Sequence, residues 1–173
     1  PGHSSAASDV YKRQPLDIAR GGGRALRSAI RELESGRCVL IFPEGRRTED
    51  GRMARFRGGA LLLARKTNAP VVPLAIDGSW DAWSRHRKFP RLGAAIGMRI
   101  GEPIPAEVLG AMEDAEALEH LKREVEKLRL EVRGDLRRAT RGAWPKPGLG
   151  DVPYWAGQDA DPTEIPPEAE GTD

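Results

Sequence analysis

A chain of 173 residues, 39% hydrophobic and 31% charged, has the length of one domain with a tail and can bury a sizeable core. Its longest apolar runs, CVLIF and APVVPLAI, fall far short of the roughly 18 to 20 residues of a membrane-spanning helix, and its single cysteine, Cys38, excludes an internal disulfide and a cysteine-based zinc cluster. The net charge of +2 is divided: residues 142–173 hold one base against seven acids, and the rest holds 27 bases against 19 acids, an excess that attracts phosphates, nucleic acid or acidic lipid surfaces.

Residues 1–14, PGHSSAASDVYKRQ, are small, polar and unpatterned, without the charged and apolar regions of a signal peptide. SSAASDVYKRQ reads as a linker scar, so residues 1–14 are expected to be a non-native or disordered leader, with the native sequence starting near Pro15 and its true N-terminus missing. Beyond the glycines 21–23, Leu26, Ile30 and Leu33 recur at helical spacing, which predicts an amphipathic helix ending at Gly36. CVLIFP (38–43) reads as a fully buried strand with Cys38 as a small core residue. A second helix over Leu61–Lys66 is opened by Gly58 and Gly59 and closes near Asn68, before Pro70.

VVPLAI (71–76) is the next predicted strand, and AAIGMRIGEP (94–103) a further one. Between them, residues 77–93 form a loop in which Trp80 and Trp83 interleave with Arg85, Arg87 and Lys88. Such a pattern suits a packed loop with a basic rim, single-stranded nucleic acid or a lipid headgroup interface. From Pro105 onward, Leu118, Leu121, Val125, Leu128 and Val132 mark one apolar stripe on a long helix. Residues 142–173, rich in proline, glycine and acid, read as a disordered tail. Strands alternating with helices imply an α/β domain over residues 15–141 with a mostly parallel sheet flanked by helices.

In such sheets ligands bind beyond the carboxyl ends of strands, where loops and helix N-termini gather. Glu44, Arg46 and Arg47 follow the apolar run directly, and Gly58 and Gly59 open a helix whose free N–H groups favour anions. Arginine grips phosphate oxygens through forked hydrogen bonds. A phosphate-recognising loop and a plain strand-to-loop turn both fit this spacing. No Gly-x-Ser-x-Gly elbow or Gly-x-x-x-x-Gly-Lys loop is present, and His86 and His120 have no catalytic partner nearby in sequence, which makes them solvated surface.

FPEGRRTEDGRMARFRGG resembles the third conserved block of the phospholipid/glycerol acyltransferase family, Phe-Pro-Glu-Gly-Thr-Arg-Ser followed by a loop and Phe-Lys-x-Gly. Phe42, Pro43, Glu44, Gly45, Arg47, Phe56, Arg57 and Gly59 match it, whereas Arg46 replaces the threonine and Thr48 the serine. APVVPLAIDGSWDAW is similar to the fourth block, matched at Pro70, Val71, Val72, Pro73, Ala75, Ile76 and Gly78, and GEPI (101–104) to the strand end that follows it. Ala19-Arg20 is similar to the end of the second block, where only the arginine remains. The likeness spans about Pro15 to Pro105.

The resemblance implies a glycerol-3-phosphate acyltransferase-like fold and transfer of a fatty acyl group from acyl-CoA or acyl carrier protein to a lysophosphatidate-like acceptor, with no metal and no tightly held cofactor. It assigns acceptor binding to Arg20, Glu44, Gly45 and Arg47, joined by Gly59 at the helix entry, and a structural role to Pro73. The family's base is the histidine of an Asn-His-x-Ser-x-x-Asp block. GHSSAASD matches it at His3 and Ser5, but Ser8 stands where the aspartate belongs and Asp9 comes one place late. No catalytic residue is therefore assigned, and the chain is expected to have lost that block by N-terminal truncation. The implied setting is cytoplasmic, peripheral on the inner membrane face, with an anionic lysophospholipid as partner and no nucleic acid. A non-catalytic binder of anionic lipid and a nucleic-acid module remain the rival classes.

Overall fold

A computed structural model describes residues 22–156, which fall into two compact units. The first takes the chain through Gly45, then Phe56–Val71 and Ile104–Leu118. Helix α1 (Gly22–Glu34) packs on α2 (Gly59–Thr67), and α2 packs on α4 (Ala106–Gly110). Ala29, Leu61, Leu63, Ala64, Ala106 and Leu109 close the core. Asn68 ends α2 in the left-handed conformation, a stop that a short polar residue tolerates. Arg65, near the end of α2, donates to the carbonyls of Leu109 (3.0 Å) and Met112 (2.6 Å) and pairs with Asp114, so one guanidinium satisfies a carbonyl of the last turn of α4 and another just beyond it. Val71 and Ile104 exchange two backbone hydrogen bonds, at 2.9 and 2.8 Å.

The run expected to be a buried strand is not one. Residues 37–42 carry no regular secondary structure and have no ladder partner among the described residues, with Leu40 69% and Phe42 66% exposed. Cys38 is likewise exposed rather than in the core. A buried strand needs hydrogen-bonding neighbours as well as an apolar sequence, and no described residue supplies them.

The second unit comprises Arg46–Arg55, Val72–Pro103 and the chain from Glu119. Strand β1 (Leu74–Asp77) pairs antiparallel with β2 (Gly97–Ile100), Leu74 opposite Ile100 and Asp77 opposite Gly97. The parallel pairing expected from alternation has no counterpart among the described residues. A parallel pair requires a crossover of a dozen or more residues, usually helical; only the four-residue α3 (Ser79–Ala82) and a loop separate these strands, and the chain reverses. One sheet face carries Ala75 and Asp77 and meets α5 (Asp114–Ala139), whose residues from Glu119 onward belong to this unit. Gly97 permits that approach, since an added Cβ would lie 2.8 Å from Val132 Cγ1.

Residues 142–156 also depart from expectation. They are not a disordered tail but a strap along α5, with Pro145 fully buried and Tyr154 buried; residues 157–173 lie outside the described residues. The strap covers a stripe of charged side chains on α5, Glu126, Arg129 and Arg133, all buried. Tyr154 N donates to Glu126 Oε1 (3.3 Å) and Tyr154 Oη to Glu119 Oε1 (2.6 Å).

Candidate functional site

The stretch Pro43–Arg57 contributes to both units, and each part has its own geometry. In the first unit, Phe42 O accepts from Gly45 N at 3.0 Å, a turn that needs the positive φ of Gly45 (+68°). Arg57 N donates to Pro43 O at 2.9 Å, and the Arg57 guanidinium lies against Gly45, where a Cβ would stand 2.9 Å from its Nε. The next turn of chain opens α2 at Gly59 with no acidic residue, which leaves its first N–H groups and partial positive charge to an anion. Glu44, Gly45, Arg57 and Gly59 thus belong to one unit. Arg57 was absent from the predicted site, although its place in the matched Phe-Arg-x-Gly run carried the signal.

In the second unit, residues 46–55 form a loop closed by its own side chains. Thr48 Oγ1 donates to Arg52 O (2.8 Å) and accepts from Gly51 N (3.0 Å), and Asp50 Oδ1 accepts from Arg52 N (2.9 Å). Arg46 and Arg85 share Glu49, at 2.8 and 3.1 Å. Arg47 is exposed and forms no ion pair among the described residues, the condition in which a guanidinium can meet an external phosphate. A groove of about 330 Å³ beside this loop is lined by Arg46, Glu49, Arg52, Lys122 and Tyr154 among others. Arg20 lies outside the described residues.

Neither described histidine has the environment of a general base. His86 Nε2 lies 3.2 Å from Glu49 O, and its ring stands edge-on to Trp80 with centroids 5.8 Å apart. No carboxylate is hydrogen-bonded to His86 or to His120 among the described residues, so nothing polarises either imidazole. His3, Ser5, Ser8 and Asp9 lie outside the described residues. No group of His, Cys, Asp and Glu among the described residues has metal-binding geometry.

Behind the loop, the same unit holds a buried ionic network. Arg133 donates to Asp77 Oδ2 (3.0 Å), Asp151 Oδ1 (2.6 Å) and Lys146 O (3.0 Å), and Arg129 forks onto Glu126 (2.7 and 2.8 Å). Burial alone would raise the Asp151 carboxyl, but the bonds from Arg137, Arg133 and Gly148 N outweigh it and hold the group well below the ordinary carboxylate range. Burial and the bond to Glu119 push the Tyr154 phenol upward. These groups fix the strap and the sheet; their charges are already met internally.

The acyltransferase family model matches residues 15–77. A chloroplastic 1-acyl-sn-glycerol-3-phosphate acyltransferase of Brassica napus is 41% identical over 54 residues, 31% of this chain and 16% of that one. The human 1-acyl-sn-glycerol-3-phosphate acyltransferase alpha is 33% identical over 72 residues, 41% of this chain and 25% of that one. Among solved structures, the 1-acyl-sn-glycerophosphate acyltransferase PlsC of Thermotoga maritima superposes with a TM-score of 0.51 at 28% identity, over 72% of this chain and 47% of its own. The chain therefore spans less than half the length of that neighbour and a quarter or less of these two curated relatives.

Proposed function

Residues 15–77 belong to the acyltransferase family, and on that premise we propose that this chain contributes the acceptor-binding part of an enzyme that esterifies a lysophosphatidate-like lipid. The observation that carries the reading is the run Glu44–Gly45–Arg46–Arg47, matched at Glu44, Gly45 and Arg47, in which Arg47 is exposed with no ion pair among the described residues. A phosphate monoester is close to doubly charged near neutrality, and hydrogen bonds from a guanidinium to phosphate oxygens are the strong, oriented ones. In the proposed reaction the acceptor hydroxyl attacks the carbonyl of an acyl thioester, the C–O bond forms as the C–S bond breaks, and the thiol leaves. Acyl-CoA or acyl carrier protein supplies the thioester. By the resemblance, Arg20, Glu44, Gly45, Arg47 and Gly59 are the residues expected to bind the acceptor, and none of them is assigned the proton transfer. The setting is the cytoplasmic face of a membrane, met peripherally; no described helix is long and apolar enough to cross one.

Titration of the chain with a short-chain, water-soluble lysophosphatidate tests this reading. Arg47→Ala should weaken binding by about 1.5 to 3 kcal/mol, the range for a hydrogen bond to a charged group, and Arg47→Lys should recover part of it. Unchanged affinity in Arg47→Ala removes Arg47 from the site. With a long-chain acyl-CoA added, the 173-residue chain should show no acyl transfer above background, because Asp9 stands out of register with His3. Turnover that His3→Ala abolishes would restore that histidine as the base.

A further inference from the structure

Residues 82–101 of the second unit contain five bases, Arg85, Arg87, Lys88, Arg91 and Arg99, and no acid. Several large apolar side chains of this stretch stand in water, and the two most exposed, Phe89 at 73% and Leu92 at 96%, lie among these cations. The loop that presents them is held in place. Arg91 N donates to Ala82 O (2.8 Å), Arg87 N to Ser84 O (3.0 Å), and Trp83 Nε1 to Arg87 O (3.1 Å). The Arg91 guanidinium lies over the Trp144 ring, 5.1 Å from its centroid. Arg87 and Lys88 form no ion pair among the described residues.

An exposed leucine and phenylalanine beside unpaired cations have one partner that satisfies both features. At an anionic bilayer the apolar tips enter the boundary between headgroups and acyl chains, while the cations meet lipid phosphates. Single-stranded nucleic acid would satisfy the cations but not Leu92, which has no π face on which a base can stack. We propose that residues 83–92 are an interfacial loop that docks this chain on an anionic lipid bilayer, with Phe89 and Leu92 inserted and Arg87 and Lys88 on the headgroups. The surface so named is the one from which the proposed acceptor would be drawn, and to that extent the inference rests on the acyl-acceptor reading.

The test is flotation of the full chain with vesicles of phosphatidylcholine containing phosphatidylglycerol, beside vesicles of phosphatidylcholine alone. The anionic vesicles should bind more tightly. The pairs Arg87→Gln with Lys88→Gln and Phe89→Ser with Leu92→Ser should each lower binding on the order of tenfold, with near-ultraviolet circular dichroism unchanged because all four side chains are exposed. As a second readout, the added tryptophan emission of Phe89→Trp should shift to the blue on anionic vesicles and be quenched by brominated acyl chains. Unaltered vesicle binding in both pairs overturns the proposal, as does an emission of Phe89→Trp that neither shifts nor is quenched when vesicles are added. So does loss of oligonucleotide binding in these variants with vesicle binding intact. Short-chain lysophosphatidate binding, retained in the loop variants and weakened in Arg47→Ala, reads the acceptor site separately, so either reading can fail alone.

Discussion

Gly45 shows how one residue sets the geometry of the candidate site. Its φ of +68° closes the turn, and the space a Cβ would fill is occupied by the Arg57 guanidinium. In Gly45→Ala the left-handed conformation costs about 1 to 2 kcal/mol, and Arg57 must swing away from the turn. Chemical denaturation should report a stability loss of that order, and lysophosphatidate titration a weaker complex. A variant as stable as the parent would mean that the turn opens without cost. The pairing of Gly45 with Arg57 was half legible in the sequence: the glycine after Pro43-Glu44 and the Phe-Arg-x-Gly run were both visible, but only the fold lays one against the other. Cys38 was illegible, because an apolar neighbourhood in sequence says nothing of whether partner strands are present to bury it.

At the scale of elements, legibility followed periodicity. The spacing of Leu26, Ile30 and Leu33 located α1, the glycine entry and Asn68 located α2, and the stripe from Leu118 to Val132 located α5. Strand direction was not legible, since it depends on the connection, and a polar loop of 77–93 serves a reversal as well as a crossover. The second stripe on α5 was equally hidden. Glu126, Arg129 and Arg133 repeat at spacings of three and four as a buried face would, but charge makes such a stripe look solvated until its counterions are placed. Asp151 is the counterion that ties the strap to this stripe, and its depressed carboxyl gives the docking a pH signature. A group whose folded pKa lies below its unfolded value stabilises the folded form above the unfolded pKa, and that stabilisation fades as pH falls toward the folded one. The strap should therefore stay docked down to about pH 4, near the unfolded aspartate value, and release only in stronger acid. Fluorescence of Trp144 and Trp155 would follow it. Release with a midpoint above the ordinary carboxylate range would show that Asp151 is not the tie.

For the whole molecule, the strap decides whether residues 142–156 are part of the fold. Removing them would take Asp151 from Arg133 and Arg137, the Lys146 and Pro145 carbonyls from the same two arginines, and Tyr154 from Glu119 and Glu126. Arg133 would keep Asp77, but Glu126 and Arg129 would lose the cover that keeps them from water. Charged hydrogen bonds contribute about 1.5 to 3 kcal/mol each, and a buried aromatic side chain roughly 1.5 to 3 more; hydration of the freed arginines offsets part of the sum. The net loss should still be several kcal/mol, which in a unit of this size lowers the melting temperature on the order of 10 °C or more. The comparison that isolates the strap is between a chain cut after Ala156, which retains every docking contact described, and one cut after Arg141. Calorimetry should find the longer form clearly the more stable, with the difference narrowing in strong acid as Asp151 takes up its proton. Equal melting temperatures at neutral pH would mean that the strap only rests on α5, and that the sheet and the apolar stripe from Leu121 to Val132 hold the unit together without it.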